Sequence, residues 1–261
     1  MKFSIITICY NSEKTIERTI KSVLAQTYKN YEYIIVDGAS KDGTLEIVKR
    51  FELQFDGRLK WKSEPDKGIY DAMNKGINMA TGDVIGIVNS DDWLEADAMN
   101  IVAKAIEKNG NERNTLYCGD IVFHYNNGEQ KRMNANIPLF KKNARLWIMN
   151  GIRHPATFVP REVYDRIGSF NAKMRLSADQ DFILRCYFQG VKFYHINKVL
   201  SNMAAGGLST DNTRVSLEAS IHDRKIMLDE NNIHGIKRLW LWYTWRFMVV
   251  LSRLSKSIRK K

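Results

Sequence analysis

Cysteine is scarce in this 261-residue chain: Cys9, Cys118 and Cys186 are odd in number, far apart, and form no Cys-x-x-Cys pair. That spacing excludes a disulfide framework and a zinc knuckle, and predicts a reduced, cytoplasmic protein. No secretory leader is expected, because Met1-Lys2 runs straight into a strand-like segment. Long apolar runs are missing too. Residues 239–251 are rich in aromatics, but Thr244 and Arg246 interrupt them, and the stretch falls short of the roughly 20 residues that span a bilayer. Acidic residues are absent after Glu230, while Lys237, Arg238, Arg246, Arg253, Lys256, Arg259, Lys260 and Lys261 follow. Taking those eight cations from the net charge of +11 leaves +3 for residues 1–230. A body so nearly balanced argues against nucleic acid as a partner, since that role needs a basic patch spread through the fold. There is no internal repeat and no low-complexity segment. With 44% apolar and 26% charged residues, the chain has the composition of a soluble globular protein.

The first 110 residues alternate strand and helix patterns. Residues 3–10 read as a strand, closed by Asn11-Ser12 as the cap of a helix carrying Ile16, Ile20, Val23 and Leu24. A second strand over 31–36 ends at Asp37. A helix over 45–52, a strand over 59–63, a helix over 68–80 and the strand before Asn89 follow. This alternation predicts a parallel sheet with right-handed crossovers. Beyond residue 114 the pattern is mixed, with a hairpin over 115–133 around Asn126-Asn127-Gly128, a strand over 154–159, and helices over 161–167, 178–189 and 211–232. Carboxylates fall at or after the strand ends: Asp37, Asp66, the pair Asp91-Asp92, and Asp179. In parallel α/β topology those ends share one edge of the sheet. A dinucleotide fold also places an acid near Asp37, but it needs a glycine-rich turn after strand one. Here that turn reads Cys9-Tyr10-Asn11-Ser12-Glu13, without glycine. The segment Asn89-Ser90-Asp91-Asp92 has two readings on its own chemistry. It caps a helix opening at Trp93-Leu94, or it offers hard oxygen donors to a divalent ion that also holds phosphates.

The ordered set of segments resembles the family 2 glycosyltransferases. The matching pieces are residues 4–11 (SIITICYN), 35–44 (IVDGASKDGT), 63–76 (SEPDKGIYDAMNKG), Thr81-Gly82-Asp83, Asn89-Ser90-Asp91-Asp92, 154–158 (HPATF), Gly168-Ser169-Phe170 and Ala178-Asp179-Gln180-Asp181. Together they span roughly residues 3–208. The resemblance implies an inverting enzyme with the GT-A (nucleotide-diphospho-sugar transferase) fold: a mixed, mostly parallel central sheet flanked by helices, with a C-terminal helical tail.

On that resemblance Thr7, Tyr10, Asp37 and Asp66 surround the base and ribose of a nucleotide-diphosphate-sugar donor, and Lys67, Asn74 and Ser90 join them. Asp91 and Asp92 hold Mn²⁺ or Mg²⁺, with Asp91 as the direct ligand, and Asp179 is the general base. The acceptor side takes His154 and Asp181. Several of these carry a second reading. Acids at the start of a helix, as at Asp179 and Asp181, also favour its dipole. His154 also reads as a hydrogen-bonded core histidine, and Asn74, like Asp71, as a cap or packing residue. Two positions depart from the family pattern. Asn89 stands where an Asp is common, and Met73 where many members carry an Arg, a charge that Lys67 or Lys75 would have to supply. These departures keep a rival reading open, a non-catalytic module that binds a nucleotide sugar or glycan.

The implied organisation is a transferase domain over 1–210, its donor half at about 1–113 and its acceptor half at about 114–210, followed by C-terminal helices over 211–261. The tail 237–261 reads as an interfacial helix whose aromatics and cations would hold the protein peripherally on an anionic inner membrane face. Its other reading is packing on the domain or on a second copy in a homodimer. The implied acceptor is a glycan or lipid-linked glycan in surface polysaccharide synthesis.

Overall fold

The computed structural model describes residues 1–135, 137, 151–206 and 214–231, and beyond them 234, 235, 239, 242 and 243. Most of the tail 237–261, and Gly207 with the residues up to 213, therefore lie outside the described residues.

Strand β1 (Phe3–Cys9) is buried along its whole length, the state expected of a near-continuous apolar run covered on both faces. Its alternate side chains feed two cores. Phe3, Ile5 and Cys9 join Ile16, Ile20 and Val23 of helix α1 (Ile16–Leu24) and Val48 and Phe51 of α2 (Thr44–Phe51). Ile6 and Ile8 join Tyr70, Met73 and Ile77 of α3 (Ile69–Met79) on the other face. A Cβ on Gly76 would collide with Ile6, so α3 lies directly on β1.

Strands β2 (Tyr31–Asp37), β3 (Leu59–Ser63) and β4 (Val84–Ile87) complete a parallel quartet in the spatial order β3-β2-β1-β4. The sheet continues through β8 (Thr157–Pro160), β6 (Thr115–His124), β9 (Lys192–Ala204) and β5 (Trp93–Leu94), with β7 (Gln130–Met133) paired to β6. From the pairings, β1, β2, β3, β4, β6 and β9 point one way, and β5, β7 and β8 the other. The remaining helices are α4 (Ala98–Lys108), α5 (Arg161–Ile167), α6 (Ala178–Phe188) and α7 (Arg214–Glu230). Met227 and Leu228 of α7 belong to the same apolar cluster as Ile6.

Two expectations change. Helix α1 is entered through Thr15, with no side-chain cap, and Ser12 contributes its carbonyl to the Thr15 and Ile16 N–H groups instead. Trp93-Leu94 opens no helix: it is a short strand on β9, and α4 begins at Ala98. Asp91 and Asp92 are therefore not helix caps. The three thiols are buried and unpaired, and burial pushes Cys118 and Cys186 each up to about 12.

Candidate active site

The carboxyl ends of β1, β2, β3 and β4 open on one edge of the sheet, over a cleft of about 1290 Å³. Tyr10, Asp66, Ser90, Asp91, Asp92, His154 and Asp179 all line it. Strand ends and the start of α6 thus bring residues as far apart in the chain as Tyr10 and Asp179 to one cleft.

At the β2 end, Asp37 is completely buried. Its carboxylate accepts from the Ser40 N–H at 3.0 Å, the Ser63 hydroxyl at 2.7 Å and the Ser40 hydroxyl. It fixes the turn rather than facing the cleft. Asp66 is held by the Gly68 N–H at 2.9 Å and lies so close to Gly38 that a Cβ there would stand 2.5 Å from its Oδ2 and 3.3 Å from the Tyr10 ring. Only glycine lets these two side chains converge. Tyr10 itself is 59% exposed, an aromatic face offered to a ligand.

After β4, the Ser90 hydroxyl pairs with that of Ser12 at 2.9 Å. Asp92 is 1% exposed. It accepts from the Ala204 N–H at 3.1 Å and the Asn89 amide at 3.3 Å, so it ties the β4 end to the β9 end. Burial, and then the Asp91 charge, push its carboxyl up to about 7, against the opposing pull of His154. Arg18 grips the same turn, donating to the Asp91 carbonyl at 2.7 Å while lying 3.7 Å over the Trp93 ring. Asn89 Oδ1 is buried without a partner among the described residues.

The residues present fit a divalent cation sparingly. Among the described residues no group of three or more His, Cys, Asp and Glu is gathered, so a cation is not caged by protein alone. A hard cation that keeps several waters needs only one or two carboxylates beside substrate phosphates. The Asp91-Asp92 pair meets that need, and the raised Asp92 carboxyl marks a charge for which a cation would compensate.

Asp179, in the same cleft, is the second residue of α6. Tyr70 donates to its Oδ1 at 3.1 Å, and His154 Nδ1 stands 3.9 Å from its Oδ2. Burial works against the charge, but His154, the Gln180 N–H and Tyr70 prevail and hold the carboxyl below its usual range. Through its charge His154 favours the ionised form of both Asp92 and Asp179. Its Nε2 is buried with no partner among the described residues, beside a cavity of about 20 Å³ shared with Asp179 and Thr157, room for a single water.

Other expected site residues are committed elsewhere. Thr7 is fully buried on the α1 and α2 side, where its hydroxyl accepts from Tyr33 at 2.9 Å. Asn74 exchanges two hydrogen bonds with the Phe170 backbone, at 2.8 and 3.0 Å. Asp181 is 1% exposed and paired with Arg185 at 2.8 Å. Lys75 is bound to Pro65 O, Glu64 and Asp71, and the exposed Lys67 is not among the lining residues. Besides Lys14, the cleft is lined by Arg153, a cation that the sequence reading does not single out. Burial lowers its pKa and the charge of Asp179 raises it. Its position, one residue before His154-Pro155-Ala156, is the signal that was available.

Comparison with known proteins agrees with this geometry. The family model "Glycosyl transferase family 2" matches residues 4–172. A PGL/p-HBAD biosynthesis glycosyltransferase of Mycobacterium bovis is 34% identical over 221 residues, 83% of this chain and 81% of that one. The hyaluronan synthase of Pasteurella multocida is 29% identical over 84% of this chain and 22% of its own length. Among solved structures, S. aureus TarS 1–349 in complex with UDP-GlcNAc superposes with a TM-score of 0.71 at 21% identity, over 92% of this chain and 69% of that one. The Pyrobaculum calidifontis mannosyltransferase PcManGT, in complex with GDP-Man and Mn²⁺, gives 0.59 at 17% identity, over 97% and 75%. With its motifs, its sheet and its carboxylate-lined cleft in one consistent order, this chain belongs to glycosyl transferase family 2 and is a glycosyltransferase of the GT-A fold.

Proposed function

We propose that this enzyme is an inverting transferase that moves a sugar from a nucleotide-diphosphate-sugar donor to a hydroxyl of a glycan or lipid-linked glycan, in surface polysaccharide synthesis. The observation that carries this reading is that Asp179, a carboxylate kept ionised, lines one cleft with Asp91 and Asp92. Support for the donor class comes from the UDP-GlcNAc and GDP-Man complexes of the structural neighbours. The hyaluronan synthase and the PGL/p-HBAD biosynthesis enzyme support the acceptor class.

In this reading Tyr10 and Asp66 receive the nucleoside, with Asp37 shaping the turn beneath it. Ser90, Asp91 and Asp92 face the diphosphate, and Arg153 adds a positive charge to the cleft. A Mn²⁺ or Mg²⁺ ion held by Asp91 and Asp92 would supply charge stabilisation to the departing nucleoside diphosphate. Asp179 takes the proton of the acceptor hydroxyl as its oxygen bonds to the anomeric carbon. The bond from that carbon to the phosphate oxygen breaks, and the electron pair leaves with the diphosphate. One base and one displacement give inversion, with no nucleophilic carboxylate required. His154 orients the Asp179 carboxylate from its Oδ2 side. An assay of wild-type enzyme against a panel of sugar nucleotides and glycan acceptors, with and without Mn²⁺ or Mg²⁺, tests this. Metal-stimulated transfer from one donor class is expected; binding without turnover under every condition would count against it.

The tail 237–261 is proposed to rest on an anionic inner membrane face. Among the described residues no helix is long and apolar enough to cross a membrane. Leu239 and Tyr243 are exposed, at 56% and 65%, while Trp242 packs against the core. Removing 237–261 is expected to release the protein from anionic liposomes in a sedimentation assay. Equal binding by the truncated protein would leave packing on the domain, or on a second copy in a homodimer, as the tail's role.

A further inference from the structure

Helix α6 carries Asp179 at its second position, yet its N-cap, Ser177, makes no side-chain capping bond. The capping group comes from elsewhere. Asp223, in the middle of α7, is completely buried. Its carboxylate accepts from the backbone N–H groups of Arg175 at 2.8 Å, Leu176 at 2.6 Å and Ser177 at 2.9 Å. Three consecutive N–H groups aimed at one carboxylate form a built anion seat, and the charge-assisted bonds make it stiff. Further contacts from the end of the same helix reinforce it. Glu230 accepts from Asn171 at 2.6 Å, at the start of the loop leading to α6.

The part of the chain matched by the family model ends at residue 172, near the start of this loop, so residues 175–177 and α7 lie beyond it. We propose that Asp223 is a positioning residue for transfer: through the 175–177 backbone it fixes the entry of α6, and with it the height and direction of the Asp179 carboxylate in the cleft. This rests on Asp179 being the base. Asp223 is kept out of the cleft by its burial and touches no substrate. A rigid seat matters here because a displacement of about 1 Å at a reacting group costs on the order of 10²-fold in rate. Transfer by this enzyme therefore depends on the C-terminal helix as well as on the sheet that bears the donor site.

The test is a double-mutant cycle on the full chain, with Asp223→Asn, Asp179→Asn and the double variant. Asp223→Asn keeps the size of the side chain but turns an N–H₂ group or a single neutral oxygen toward three donors. The expected result is a 10- to 100-fold loss of transfer kcat, on the scale set by such a displacement, with the donor Kd within about twofold of wild type. The double variant is expected to be no slower than Asp179→Asn alone, because both act through one group. A folded Asp223→Asn enzyme with wild-type kcat would overturn the proposal, as would losses in kcat and donor affinity that simply follow the folded fraction, or losses that multiply in the double variant. Should Asp223→Asn not fold, Glu230→Gln loosens the same brace from the surface. A several-fold fall in kcat at constant donor Kd is then expected, and an unchanged kcat would overturn the proposal. If Asp179→Asn itself retains full activity, the base assignment fails; if it is inactive while Asp223→Asn is not, only the positioning role fails.

Discussion

Asp179→Asn is expected to lower transfer kcat by about 10²–10⁴-fold, the range that general-base assistance supplies, while the donor Kd stays within about twofold. The substitution keeps shape and still accepts the Tyr70 hydroxyl at Oδ1, but it replaces the basic carboxylate with an amide that cannot take a proton near neutral pH. Steady-state kinetics paired with donor binding by calorimetry separates the two quantities. The carboxyl lies below its ordinary 3.8, so ionised Asp179 stabilises the folded state above that value, and the stabilisation is lost as pH falls through the lowered pKa. An acid limb of kcat owed to this group belongs below pH 4, and at neutral pH Asp179 is ready to accept. Wild-type kcat in the Asn variant would sink the base assignment.

The second large effect concerns Asp91 and Asp92. Asp91→Ala is expected to abolish metal-dependent donor affinity, by more than the roughly 10–100-fold that loss of an outer-shell partner costs. The pH dependence has a definite sign. Asp92 is raised from 3.8 to about 7, by burial first and the Asp91 charge second. The folded protein therefore holds that proton more tightly than the unfolded chain does. Without metal, the contribution to stability is complete below about pH 4 and is lost as pH rises through about 7. Cation binding requires the ionised carboxylate and releases the proton, so it tightens as pH rises to about 7 and levels off above. The thermal shift produced by Mn²⁺, followed between about pH 5.5 and 8.5, is expected to trace that curve. A shift independent of pH, or an unaltered metal titration in Asp91→Ala, would remove Asp92 or Asp91 from the site.

The edge of the sheet that carries the site was legible in the sequence because parallel strands place their carboxyl ends together. That rule puts Asp66, Asp91 and Asp92 at the edge, and all three line the cleft; local turn and period signals give the hairpin around Asn126-Asn127-Gly128 and helix α5. Depth along a strand is the weak point. Thr7 lies short of Ile8, Cys9 and Tyr10, which line the cleft, and is buried on the α1 side with Phe3 and Ile5, where Tyr33 claims its hydroxyl. Strand β9 is not legible in the sequence. It has no clean alternation of buried and exposed residues, and its pairing with β6 shifts register around Asp120. Without β9 the partner of Trp93-Leu94 was invisible, and so was the Ala204 N–H that anchors Asp92. Asn74 and Asp223 show the same gap from another side. Whether a polar side chain serves a ligand or a backbone depends on contacts between residues tens of positions apart, and no local spacing records them.

The most direct test of single displacement is the anomeric configuration of the product, read by proton NMR during transfer by the wild-type enzyme in the presence of Mn²⁺. An α-linked donor is expected to yield a β-linked product at the first detectable turnover. An α-linked product would mean a two-step reaction through a second group, and would contradict the role given to Asp179.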